Sequence, residues 1–255
     1  MPDPTPPFSD NRAQPMVRRS ADPDELAERV AAHLISRLAR IQQHGRVPSI
    51  ALTGGSIAVK IHETVAESPD RHLVDWGHVD FWFGDERFVP AADPERNARQ
   101  ARTAMLDHLP VDPARVHEMP AADGSHAGDL DAAAEAYGQE IRRQGSGEFD
   151  VVMLGIGEDG HVASLFPGFP QLDIDDAIAV AVRDSPKPPP ERVSLTFSAL
   201  ERTRELWFVA SGAGKAEGVR RALDPDTDVH EVPASRPRGR QRTLWFLDEK
   251  SASQL

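Results

Sequence analysis

Asp159 and His161 stand two residues apart in the run Phe149–Gly168, FDVVMLGIGEDGHVASLFPG. Imidazole is the one side chain that ordinarily titrates near neutrality, and a carboxylate beside it can orient the ring. The pair is a candidate acid–base system. Gly155, Gly157 and Gly160 surround it, and that density of glycine marks a tight turn in which backbone approaches backbone or ligand closely. Ahead of the turn lies Asp150–Leu154, a short apolar run suited to a strand buried on both faces. In an open α/β sheet ligands bind outside the carboxyl ends of such strands. Ala163–Phe166 reads as the start of a helical turn that Pro167-Gly168 stops.

Two further strand ends carry the same kind of turn. Pro48–Leu52 reads as a strand, and Thr53-Gly54-Gly55-Ser56 leads from it into a helix through Val59, Ile61 and Val65. Free backbone N–H groups and a hydroxyl at a helix N-terminus are the ingredients of an anion site. Glu205–Ala210 is followed by Ser211-Gly212-Ala213-Gly214-Lys215 and another helix, so a lysine sits at that strand end. The aromatic strand His78–Phe83 ends in Gly84-Asp85-Glu86-Arg87, where Arg87 is placed to clamp an anionic oxygen. Arg192 stands where the proline-rich connection Pro186–Pro190 turns into a strand.

The elements that must hold these residues follow from periodicity. Asp22-Pro23 caps an amphipathic helix through Leu26, Val30, Leu34, Leu38 and Ile41, with His33 as a packed or half-exposed helix residue rather than a ligand. Pro94–His108 reads as helical, Val116–Met119 as a brief strand, and Leu130–Ile141 as a long helix. Ala177–Val182 and Thr243–Leu247 are further strands, with Asp248 after the last. Strands alternating with helices predict an α/β fold: one doubly wound, mostly parallel, Rossmann-like sheet in a single domain over 22–255. Residues 1–21, with five prolines among the first 22 and little aliphatic pattern, are expected to form a flexible tail.

Composition removes several functions. A formal charge of −12 argues against a nucleic-acid partner, and no apolar run approaches the roughly 20 residues that span a bilayer. The N-terminus has no signal-peptide pattern, and the absence of cysteine fits a reducing cytoplasm. The ten histidines show no ligand spacing, so no metal is expected. With this net charge, a site for an anionic substrate must gather its cations locally.

Together Gly54-Gly55-Ser56, Gly84–Arg87 with Val89-Pro90, and Gly155–His161 running into Ala163–Pro167 resemble the 6-phosphogluconolactonases. These belong to the wider group that includes glucosamine-6-phosphate deaminases. Pro188–Thr196 and Gly214-Lys215-Ala216 resemble that family's later motifs, and the likeness runs from Asp22 to Asp248. It implies hydrolysis of 6-phospho-D-glucono-1,5-lactone to 6-phosphogluconate, with no organic cofactor. On the same resemblance His161 is the catalytic histidine and Asp159 its orienting partner. The Gly54, Gly55 and Ser56 turn, Asp85, Arg87, Lys215 and Arg192 are then substrate and phosphate ligands. Either the Gly155–Gly160 turn or an arginine would serve the oxyanion. Ile57-Ala58 replaces the family's usual Thr-Pro, and Val162 a common threonine. The rival in the group is the deaminase, which carries a glutamate where this chain has Phe166 and Asp-Glu-Tyr where it has Asp85-Glu86-Arg87. A non-catalytic sugar-phosphate sensor is the rival of another class.

Overall fold

The computed structural model describes residues 13–255. Six strands form a parallel sheet: β1 (Pro15–Ser20), β2 (Ser49–Leu52), β3 (Asp80–Phe83), β5 (Phe149–Leu154), β8 (Thr203–Ala210) and β9 (Arg242–Asp248), in the order β1-β9-β8-β5-β2-β3. Three more, β4 (Asp85–Arg87), β6 (Ala179–Val182) and β7 (Arg192–Leu195), form a small antiparallel sheet in the order β4-β7-β6. The helices are α1 (Pro23–Gln43), α2 (Ser56–Glu67), α3 (Asn97–Ala104), α4 (Leu130–Gln144), the short α5 (Phe197–Leu200) and α6 (Ala216–Leu223).

Alternation along the central strands explains the two layers. Val152, Leu154, Leu206 and Phe208 face one buried cluster, whereas Val151, Met153, Trp207 and Val209 face the other. Both faces are apolar because both are covered, as a doubly wound parallel sheet requires. Side chains of α4, α6 and the small sheet fill the first cluster, and those of α1, α2 and α3 the second. The α1 start is as expected: Asp22 accepts from the N–H groups of Asp24 and Glu25, both at 2.9 Å, ahead of Pro23. Leu26, Val30, Leu34 and Leu38 are fully buried along its inner face. Each contributes about 1.5–3 kcal/mol relative to exposure.

Four expectations change. Part of the 1–21 tail lies outside the described residues, but Pro15–Ser20 is strand β1, paired in parallel with Thr243–Asp248. Its residues are mostly half-buried or exposed, as befits an edge strand, so no apolar run announced it. The doubly wound parallel sheet is present as expected, but the strands at Ala179–Val182 and Arg192–Leu195 lie outside it, because β4, β6 and β7 run antiparallel to one another and pair only among themselves. Ala163–Phe166 is no helical turn: Val162 bridges Leu165, and Ala163 has a φ of 50°. Of Val116–Met119, Val116 alone bridges a strand, to Phe81.

His62, on the inner face of α2, is 1% exposed, and neither ring nitrogen has a hydrogen-bond partner among the described residues. Burial lowers its pKa to about 4 from 6.5. Between those values the unfolded chain binds more protons than the folded one, so stability falls as the pH drops from about 6.5 toward 4. The integrated loss is on the order of 3 kcal/mol. Replacing His62 with Leu is expected to flatten the acid side of the Tm–pH curve over that range. An unchanged slope would mean that His62 is not the group responsible.

Candidate active site

The carboxyl ends of β2, β3, β5 and β8 open on one cleft of about 290 Å³. Each strand end contributes what its local sequence dictates. After β2, Gly55 turns the chain with a φ of 97° and caps α2 without a side-chain hydrogen bond, leaving the helix's first N–H groups without a side-chain cap. Gly54 and Gly55 line the cleft, as does Thr53, whereas Ser56 is exposed and outside the lining. After β8, Asp248 at the end of β9 ties down the next turn. It accepts from Ser211 Oγ at 2.8 Å and from the Gly212 N–H at 3.1 Å, fixing the loop from which Lys215 reaches the cleft.

After β5 the turn closes on itself, with Gly157 N donating to His161 O at 2.9 Å and Gly160 N to Gly157 O at 3.1 Å. A Cβ on Gly157 would overlap both the His161 ring and the Asp159 carboxylate. That close approach explains the glycine. Within the turn His161 Nδ1 lies 2.6 Å from Asp159 Oδ1, and the His161 side chain is 16% exposed. Burial alone would raise the Asp159 pKa. The hydrogen bond and charge of His161, helped by Lys187, outweigh it and hold the carboxyl at about 2. Asp159 is therefore an anion at any physiological pH. It accepts the Nδ1 proton, which makes Nε2 the nitrogen able to take a proton from a reacting group. Phe166, 1% exposed, packs on the ring at a centroid distance of 4.6 Å.

The small sheet brings two of the cations. Arg87 and Arg192 are directly opposite each other across the β4–β7 ladder. Like charges so placed are unfavourable unless an anion shares them. Burial lowers the Arg192 pKa, and Arg87 pushes the same way while Asp85 opposes. Arg192 uses Nε on Pro189 O at 3.1 Å and Nη2 on Lys187 O at 2.9 Å, so it braces the proline loop as well as lining the cleft. That loop delivers Lys187 to the same space. Lys215 is lowered by burial and then by Lys187, with Glu158 and Asp159 opposing. Four cations, Arg87, Lys187, Arg192 and Lys215, thus line the cleft against one lining carboxylate, Asp85. In a chain of net charge −12 this is a local reversal of sign.

Asp85 is 7% exposed and accepts from Ser164 Oγ at 2.7 Å. Ser164 is fully buried and points its hydroxyl at a carboxylate rather than at the histidine, which removes it as a nucleophile. Glu86 is buried beneath the loop. Burial pushes its pKa up to about 7 against the pull of Arg96 and three backbone N–H groups. The structure thus gathers Gly54, Gly55, Asp85, Arg87, His161, Arg192 and Lys215 on one cleft, with Asp159 behind His161. Asn97 and Lys187 line it too and were not singled out from sequence. Lys187 had a signal, a lone cation in a proline run that ends at Arg192; Asn97 had none beyond its place at a helix start.

A base–carboxylate pair beside a ring of cations, at the carboxyl ends of a parallel sheet, defines an α/β enzyme acting on an anionic small molecule. Comparison with known proteins makes this particular. The family model for glucosamine-6-phosphate isomerases/6-phosphogluconolactonase matches residues 21–245, and the chain belongs to that family. It is 45% identical to a 6-phosphogluconolactonase of Streptomyces coelicolor, covering 92% of each chain. To the human 6-phosphogluconolactonase it is 35% identical, over 90% of this chain and 86% of that one. Among solved structures, the 6-phosphogluconolactonase of Trypanosoma brucei superposes with a TM-score of 0.82 at 26% identity, covering 95% of this chain and 99% of that one.

Proposed function

We propose that this protein hydrolyses 6-phospho-D-glucono-1,5-lactone to 6-phosphogluconate. The observation that carries the reading is the Asp159–His161 pair, with its free nitrogen in a cleft lined by four cations. The relatives' names identify the lactone among the anionic substrates that such a cleft would take.

The chemistry needs a water to attack the lactone carbonyl carbon. His161 Nε2 takes that water's proton as the C–O bond forms, and Asp159 stabilises the imidazolium that results. The tetrahedral oxyanion then collapses, the bond from the carbonyl carbon to the ring oxygen breaks, and the imidazolium returns its proton to that oxygen. One water is consumed, and the histidine ends neutral. The cations serve the phosphate at the other end of the substrate through charge-assisted contacts.

Deamination of glucosamine 6-phosphate is the nearest alternative. The position that holds a glutamate in the deaminases is Phe166, whose ring packs on His161 and carries no proton. The deciding assay measures hydrolysis of freshly prepared phosphorylated lactone above its spontaneous rate, beside ammonia release from glucosamine 6-phosphate. Activity on the amino sugar alone would overturn the proposal. No activity on either would favour the sensor.

Changing Asp159 to Asn is expected to lower kcat by roughly tenfold to a hundredfold, the worth of one charge-assisted hydrogen bond. Steady-state kinetics on the phosphorylated lactone measures this. A loss as large as that of the His161 variant would give Asp159 a direct part in proton transfer.

A further inference from the structure

Arg87 is not held by a carboxylate. Its Nη1 donates to Glu95 O at 2.9 Å and to Asn97 Oδ1, while Nη2 makes no hydrogen bond among the described residues. Its buried Nε also has no partner there. A guanidinium that has one nitrogen pinned and two without partners is aimed rather than neutralised. Asn97 does the aiming. It is 3% exposed, and its other carboxamide atom, Nδ2, donates to Asp85 O at 2.9 Å and lies 3.4 Å from Asp85 Oδ1. The Asn97 carboxamide also fills the place where a Cβ of Gly54 would be; the three atoms nearest to that Cβ all belong to it. One side chain thus touches the glycine turn after β2, the backbone of β4 and the guanidinium of Arg87.

Asn97 is itself fixed from below. The Glu86 carboxylate accepts from Arg87 N at 2.8 Å and Asn97 N at 2.7 Å through Oε1, and from Ala98 N at 2.8 Å through Oε2. Those donors are otherwise unsatisfied N–H groups at the start of α3 and on the adjoining β4 strand. Glu86 is 1% exposed, so this arrangement is a rigid part of the interior.

We infer that Asn97 is a positioning residue for substrate: its carboxamide sets the Arg87 guanidinium against the glycine turn, and Glu86 sets Asn97. The inference rests on the reading of Arg87 as a ligand of the substrate's phosphate. It adds that the ligand is preassembled by a neutral side chain, which leaves the positive charge of Arg87 undiminished for an anion. A carboxylate at position 97 would tether the arginine equally well and cancel its charge.

The test is a double-mutant cycle between Asn97→Ala and Arg87→Ala, with both the phosphorylated and the unphosphorylated glucono-1,5-lactone as substrates. Asn97→Ala keeps the backbone N–H that Glu86 holds, and circular dichroism checks that the fold persists. On the phosphorylated lactone Asn97→Ala should lose roughly tenfold in kcat/KM, mostly through KM, and add little once Arg87 is gone. Fully additive losses would overturn the inference whatever Arg87 binds, because Asn97 would then not act through it. The comparison of lactones tests the other reading separately: equal losses of Arg87→Ala on both would move that arginine away from the phosphate. A second cycle guards against a folding artefact. Gly54→Ala should impair the wild type by displacing Asn97, yet cost little more in the Asn97→Ala background, where the carboxamide is absent. Equal cost in both backgrounds would count against Asn97 as the link.

Discussion

Replacing His161 with Ala is expected to lower kcat by about 10²–10⁴-fold, the usual contribution of a positioned general base. KM should change little, because the cations proposed for the anionic end come from β4, β7, the proline loop and the turn after β8, not from the histidine turn. Folding should survive, since the ring is partly exposed and its removal leaves the turn's backbone bonds from Gly157 and Gly160 in place. The measurement is initial-rate kinetics on freshly prepared lactone with the uncatalysed opening subtracted. A variant that keeps most of its turnover would remove His161 from the mechanism. Ser164 would not replace it, because that hydroxyl is buried against Asp85.

The second large effect concerns the cations. Lys215→Ala and Arg87→Ala are each expected to reduce kcat/KM for the phosphorylated lactone by roughly tenfold to a hundredfold, corresponding to about 1.5–3 kcal/mol per charge-assisted contact. Glucono-1,5-lactone without phosphate should be a poor substrate of the wild type and lose little further in either variant. Lys215 stands on a loop braced by Asp248 and Arg87 on strand β4 beside Asn97, but both are read as ligands of one phosphate, so the double variant should lose less than the product of the two single losses. A cation whose removal harms both lactones equally is serving the carbonyl oxygen instead. Raised ionic strength should weaken the phosphorylated substrate selectively, since these contacts are partly open to solvent.

The sequence makes His161 and the glycine turns visible because their signals are local. An apolar run followed by clustered glycines states both that a strand ends and that something must come close to the backbone there. The heptad-like faces of α1 and α4 are likewise complete within a single segment. The parts that stayed hidden depend on distant partners. Asn97 occupies an unremarked place in a polar helix, and its role exists only because Gly54 and Arg87 arrive beside it. Lys187 sits in a run whose prolines declare an extended chain but not where it points. Strands β6 and β7 were readable as strands, yet their direction and their separation from the main sheet depend on pairing, which composition does not encode.

Strand β1 has a consequence for how the chain is made. Its only partner among the described strands is β9, and the register joins Pro15 to Thr243 across about 230 positions of sequence. At ordinary rates of synthesis roughly 10–50 s separate the two as they leave the ribosome. During that interval β5 can already join β2, and β8 can join β5, but β8 keeps an open edge and β1 has nothing to pair with. Sheet growth therefore cannot finish before Arg242–Asp248 has been made: that strand must slot between β8 and a segment synthesised long before it. The arginines Arg18 and Arg19, on a strand that would otherwise be a sticky edge, keep the waiting segment charged until β9 arrives.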